Sequence, residues 1–89
     1  MKVAQSQIDD LIARSTIETY TFFDKCLVVA LKLPNDFVLT GEGACVDPSE
    51  FHYATGYEVA MKQIETQLWT LLGYELQETL SRSKQQVSE

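Results

Sequence analysis

One apolar stripe constrains this chain more than any other feature. Phe51, Ala54, Tyr57, Met61, Ile64, Leu68 and Leu71 recur at steps of three and four, with Leu72 beside them, which is the spacing of a single helix face. The stripe is preceded by Asp47-Pro48-Ser49-Glu50. Asp47 offers an acceptor to N-terminal amides, Pro48 suits the first helical position because its missing N–H would be unpaired there, and Glu50 completes a capping-box spacing. Gly73 fits the left-handed position that commonly ends a helix. A long amphipathic helix is therefore predicted over 48–72.

The segment before the cap reads as a β-hairpin. Cys26-Leu27-Val28-Val29-Ala30-Leu31-Lys32-Leu33 is strand-like, and a second strand spans 37–46 after Pro34-Asn35-Asp36. A two-residue turn at Asn35-Asp36 would pair Cys26 with Cys45 and put Gly41 and Gly43 on a face with Val28 and Ala30. Leu27, Val29, Leu31 and Leu33 would then share the other face with Glu42. Glycine inside a strand marks a bulge or a close backbone approach. The long helix pressing onto Gly41 and Gly43 is the leading explanation, with a ligand or partner backbone as the functional one.

Towards the N-terminus, Ser6 with Asp9 and Asp10 suggests a helix start, and Ile8, Leu11 and Ile12 extend a short helix over 6–15. The β-branched and aromatic run 15–23 fits an extended connection. Beyond Gly73, Leu76 and Leu80 allow a further short helix over 74–81, and 81–89 is expected to be a frayed or disordered tail. The expected class is α+β, a single domain over 1–80.

Eighty-nine residues make a small core, since chains near this size bury only about 60–65% of their unfolded surface. Self-association is the expected supplement, to a dimer or higher. A net charge of -6 with scattered basic residues argues against direct nucleic-acid binding. The acidic surface is expected to serve solubility, with mimicry of nucleic acid as the alternative. No apolar run has the length of a membrane span and no signal-peptide layout opens the chain. An intracellular protein with reduced Cys26 and Cys45 is expected.

Catalytic chemistry has few candidates. His52 is the one imidazole, and a nucleophile needs a base held by a third group. Two cysteines and one histidine do not complete a four-ligand zinc site. Neither a metal nor a cofactor is expected, and Cys26 and Cys45 are expected to pack as small hydrophobes rather than form a redox pair. Glu42 is expected at a wet strand edge, where a charge discourages further pairing. Trp69 lies about 100° from the centre of the apolar stripe, with Val59 opposite it, and would be an interface anchor if left uncovered.

The run Leu33-Pro34-Asn35-Asp36-Phe37-Val38-Leu39-Thr40-Gly41-Glu42-Gly43-Ala44-Cys45, then Asp47-Pro48-Ser49-Glu50-Phe51, resembles the small tailed-phage proteins called gene-49/gene-66-like. Gly56, Ala60, Ile64, Trp69, Leu72-Gly73-Tyr74 and Leu80 extend the resemblance over about 6–80. Two positions depart from it: Asn35-Asp36 stands where the family has Asn-Gly, and Gly43 where it tends to have Ser. The resemblance implies a phage protein made in the host cytoplasm. The leading expectation is a non-enzymatic accessory protein that binds and modulates a host or host-defence protein, as a homo-oligomer. The alternative is an oligomeric sponge for a small molecule such as a nucleotide, its pocket formed around Thr40, Gly41, Glu42 and Gly43. Trp69 and Tyr74 complete the candidate binding residues.

Overall fold

The computed structural model describes residues 2–87, with side chains through Lys84. It consists of helix α1 (Gln5–Ala13), strands β1 (Thr16–Phe22), β2 (Cys26–Lys32) and β3 (Val38–Ala44), one turn of 3-10 helix (Pro48–Glu50), and helix α2 (Tyr53–Val87). The strands form one antiparallel sheet in the order β1-β2-β3, so the class is α+β as expected. The run read as an extended connection is a full third strand. Phe23 and Asp24 reverse the chain with φ of 55° and 56°, and the Lys25 N–H closes the turn on the Phe22 carbonyl at 3.1 Å. Glycine, asparagine and aspartate mark such turns in a sequence, and only Asp24 stands here, without a following glycine, so the turn signal was weak.

The second hairpin differs from expectation by one residue. Its loop is Pro34-Asn35-Asp36: the Leu33 N–H donates to the Phe37 carbonyl and the Asp36 N–H to the Leu33 carbonyl, both at 2.8 Å. Pro34 has the fixed φ that the first turn position wants, and Asp36 takes the left-handed place, φ 73°, of a three-residue loop. Cys26 therefore opposes Ala44, Leu27 opposes Gly43 and Val29 opposes Gly41. A slip of one exchanges the faces of a strand. The glycines turn to the face of Leu27, Val29 and Leu31, and Glu42 leaves it for the opposite face beside Val28.

The cap is also displaced. The Asp47 carboxylate accepts the Ser49 N–H at 3.0 Å, and this bond, aided by the Ser49 side chain, holds its pKa below the ordinary value. It caps the 3-10 turn and not α2, because Phe51 is extended at φ -75°, ψ 126°. Helix α2 starts at Tyr53, with the His52 carbonyl accepting from the Gly56 N–H. The N-cap of α1 is Ala4, whose N–H donates to the Gln7 side chain at 2.8 Å, in place of Ser6.

At its far end α2 does not stop at Gly73. It runs on to Val87, absorbing both the separate helix expected over 74–81 and the tail expected from 81; residues 88 and 89 lie outside the described residues. Gly73 has no positive φ, and a Cβ built on it meets nothing within 4 Å. Gly73→Ala is therefore expected to stabilise the protein by about 0.5–1 kcal/mol, raising the Tm by roughly 4 °C in a thermal melt.

The core lies between α2 and the inner sheet face. Leu27, Val29, Leu31 and Leu39 meet Ala60, Ile64 and Leu68, and Ile8 of α1 and Leu33 close one end. The stripe that α2 buries is Gly56, Ala60, Ile64 and Leu68. Ala54, predicted inside, is exposed, and Tyr57 and Met61 flank the stripe half-buried. At 1.5 Å per residue the helix is about 52 Å long, which accounts for a molecule 63 Å by 21 Å by 19 Å.

Candidate functional site

The residues singled out in the sequence do not converge on one place. Gly41 and Gly43 are buried because α2 lies directly on them. A Cβ on Gly41 would collide with the Ala60 carbonyl, and one on Gly43 would stand 2.7 Å from the Gly56 Cα. The close-approach explanation holds: the main chain of α2 occupies the space against both glycines. Thr40 and Glu42 face outward on the opposite side of the sheet. Trp69 and Tyr74 stand on α2, 37% and 69% exposed. Cys26 and Cys45 are free and half-buried, and the Cys45 thiol donates to the Asp47 carbonyl at 3.1 Å.

Strand β3 is an edge, as expected for Glu42, yet the helix guards it more than the charge does. In the observed register Val38, Thr40, Glu42 and Ala44 aim their backbone groups away from β2. The Gln63 side chain accepts from the Glu42 N–H at 3.0 Å and donates to the Glu42 carbonyl at 2.8 Å. Gln67 donates to the Thr40 carbonyl at 2.8 Å. Gln63 thus bonds Glu42 as a neighbouring strand would. Gln63→Ala is expected to cost about 1 kcal/mol and to lower the Tm by roughly 4–8 °C; an unchanged Tm would show these bonds to be replaceable by water.

Among the described residues nothing covers the outer sheet face, and much of it is apolar. Tyr20, Phe22, Val28, Ala30 and Val38 share it with Cys26 and Ala44, interrupted by Thr16, Glu18, Lys32, Thr40 and Glu42. Tyr20 and Phe22 pack at a centroid distance of 4.5 Å, and Phe23 lies 6.3 Å from Phe22. Phe23 is 83% exposed and left-handed. A bulky residue in that backbone region is strained, and such strain gathers at binding sites. The aromatic residues of β1 fall in the run read as an extended connection; their alternation, Tyr20 and Phe22 on one side and Thr19 and Thr21 on the other, was the available signal for this surface.

Of the concave features elsewhere on the molecule, two bear on function. A groove of about 320 Å³ runs beside Leu11, Pro34, Phe37, Leu68, Leu71 and Glu75. A cleft of about 100 Å³ brings Cys45, Glu50 and His52 to the mouth of the 3-10 turn, below the usual size of ligand sites. Among the described residues no group of three His, Cys, Asp or Glu side chains is placed to hold a metal ion. No described helix is long and apolar enough to cross a membrane.

No curated protein and no solved structure matches the chain. The sequence of a phage family does, over residues 3–80, a span holding the whole sheet, both glycine contacts and the Gln63 and Gln67 bonds. The chain belongs to the phage protein (N4 Gp49/phage Sf6 gene 66) family.

Proposed function

We propose that this phage protein is a non-catalytic accessory factor which, in the host cytoplasm, binds and modulates a host or host-defence protein, and that it works as a homo-oligomer. The supporting observation is the outer sheet face with its exposed Tyr20, Phe22 and Phe23. Contiguous exposed apolar surface on a small protein marks interaction sites, and aromatic residues are enriched where partners bury them. Trp69 and Tyr74 are further exposed aromatic residues, carried by α2 on the other side of the sheet.

The test is affinity capture from infected-host lysate with the native chain and with a Tyr20→Ser/Phe22→Ser/Phe23→Asn variant. These side chains lie outside the core, so the variant is expected to keep its far-UV dichroism while losing capture by at least tenfold. Absence of any near-stoichiometric captured protein, or equal capture by the variant, would sink the proposal.

One observation favours the second reading, a small-molecule sponge. The groove beside Leu11, Pro34 and Phe37 falls within the size range of ligand sites, about 300–1,000 Å³. Its one ionisable side chain is Glu75, so recognition of a nucleotide phosphate would need basic groups from a neighbouring copy. A thermal-shift screen against nucleotides and cyclic nucleotides distinguishes the readings. A ligand at 100 times its Kd adds about 2.7 kcal/mol of stability, and a null screen removes this alternative.

A further inference from the structure

The two edges of the sheet are not equivalent. In β3 the outward backbone groups of Glu42 and the outward Thr40 carbonyl are taken by glutamines of α2. In β1 the pairing with β2 aims the backbone groups of Thr16, Glu18, Tyr20 and Phe22 inward, and those of Ile17, Thr19 and Thr21 outward. None of these outward groups has a backbone partner among the described residues. The strand is seven residues long, without proline, lysine or a bulge, devices that protect a free edge; its one charged residue, Glu18, is at a position whose backbone groups pair with β2.

We infer that β1 is the self-association surface, and that its occupant is β1 of a second copy, antiparallel about a two-fold axis through Thr19. This rests on the oligomeric part of the proposed function and is independent of any host partner. The strand is complementary to itself in one register. With Thr19 opposite Thr19 of the second copy, Ile17 faces Thr21, and the outward N–H and C=O groups of all three residues are satisfied. Glu18 then lies opposite Tyr20. Sliding the pairing to put Ile17 opposite Thr19 would set Glu18 against Glu18, a destabilising like-charge pair. Sliding it the other way leaves Ile17 unpaired. The product is a continuous six-stranded sheet, closed at both ends by Gln63 and Gln67, with a helix from each copy on the same face. An isologous contact of this kind limits growth to a closed pair.

The test uses the purified full chain with Cys26→Ala and Cys45→Ser as background. Hydrogen-bonded antiparallel partners have Cα atoms about 5.5 Å apart, within the reach of a disulfide. Thr19→Cys should therefore crosslink to a dimer under mild oxidation. Thr21→Cys should not, because the two Thr21 positions stand about 14 Å apart along the strands. Thr19→Pro removes an outward N–H and leaves the β1–β2 ladder intact. It is expected to weaken self-association at least tenfold in sedimentation with unchanged far-UV dichroism. A native chain that sediments as a monomer at every concentration overturns the inference, as does crosslinking of Thr21→Cys equal to that of Thr19→Cys. If Thr19→Pro fails to fold, the crosslinking comparison decides alone.

Discussion

Gly43→Ala will destabilise the protein by about 3 kcal/mol or more, a large part of the roughly 5–10 kcal/mol expected for a domain of this size. The new Cβ would meet the main chain of Gly56, its Cα at 2.7 Å and its carbonyl carbon at 2.9 Å. A side chain could swing aside, but here a rigid helix must be lifted from the sheet. The displacement would propagate along α2 and loosen Ala60 from Gly41 as well. Gly56→Ala, at the same contact, is expected to cost less than about 1 kcal/mol. Its Cβ meets the Phe51 ring edge at 3.3 Å and the Leu27 Cβ at 3.5 Å, and the better helix propensity of alanine offsets part of the crowding. Urea titration of both variants by far-UV dichroism measures the difference. Equal stabilities would show that the glycine pair does not set the distance between helix and sheet.

That contact also explains what was readable in the chain. Apolar periodicity finds a helix face through its large residues, and it identified Ile64 and Leu68 correctly. It passed over Gly56 and Ala60, because the closest approach is made where side chains are smallest. Gly41 and Gly43 two apart, against Gly56 and Ala60 four apart, was the legible form of the same fact: two bare strips of matching length. The glycines were rightly read as a place where the helix presses, yet on the wrong side of the hairpin. A left-handed aspartate at 36 made the loop three residues long, and aspartate enters that conformation through local hydrogen bonds that composition does not reveal. Gly73 erred in the opposite direction. Its residue type suggested a helix end, but the left-handed conformation that would end the helix is not adopted there and the helix passes through.

The candidate surface was less legible than the fold. Thr40, Gly41, Glu42 and Gly43 drew attention as an unusual strand; the two glycines are accounted for by internal packing, while Thr40 and Glu42 face outward. The outward aromatic groups were passed over because Tyr20, Phe22 and Phe23 look like ordinary strand residues until the register places them. Exposure is a property of the assembled sheet, and a strand with one covered face gives the same alternation whichever face is covered. Gln63 and Gln67 were invisible for a related reason. A polar residue on a helix is unremarkable until a strand edge lies beneath it.

Leu68→Ala is the second large effect, expected at about 3–4 kcal/mol. Leu68 is completely buried in the same cluster as Leu33 and Leu39 of the sheet layer and Ile8 of α1, and it also forms the floor of the groove beside Pro34 and Phe37. Truncation removes its transfer free energy and leaves a void that α1 cannot collapse to fill, since α1 is held at its other side by the turn into β1. Leu71, one step round the helix and 37% exposed, gives the control: Leu71→Ala should cost under about 1 kcal/mol, because most of the lost surface was already wet. Urea midpoints of the two variants separate burial from composition. The same pair tests the groove as a ligand site. Leu68→Ala deepens its floor and Leu71→Ala strips its rim, so a small molecule seated there would lose affinity with Leu71→Ala at nearly unchanged stability. Loss of affinity that tracks stability alone would mean that the groove is only the seam between α1 and α2.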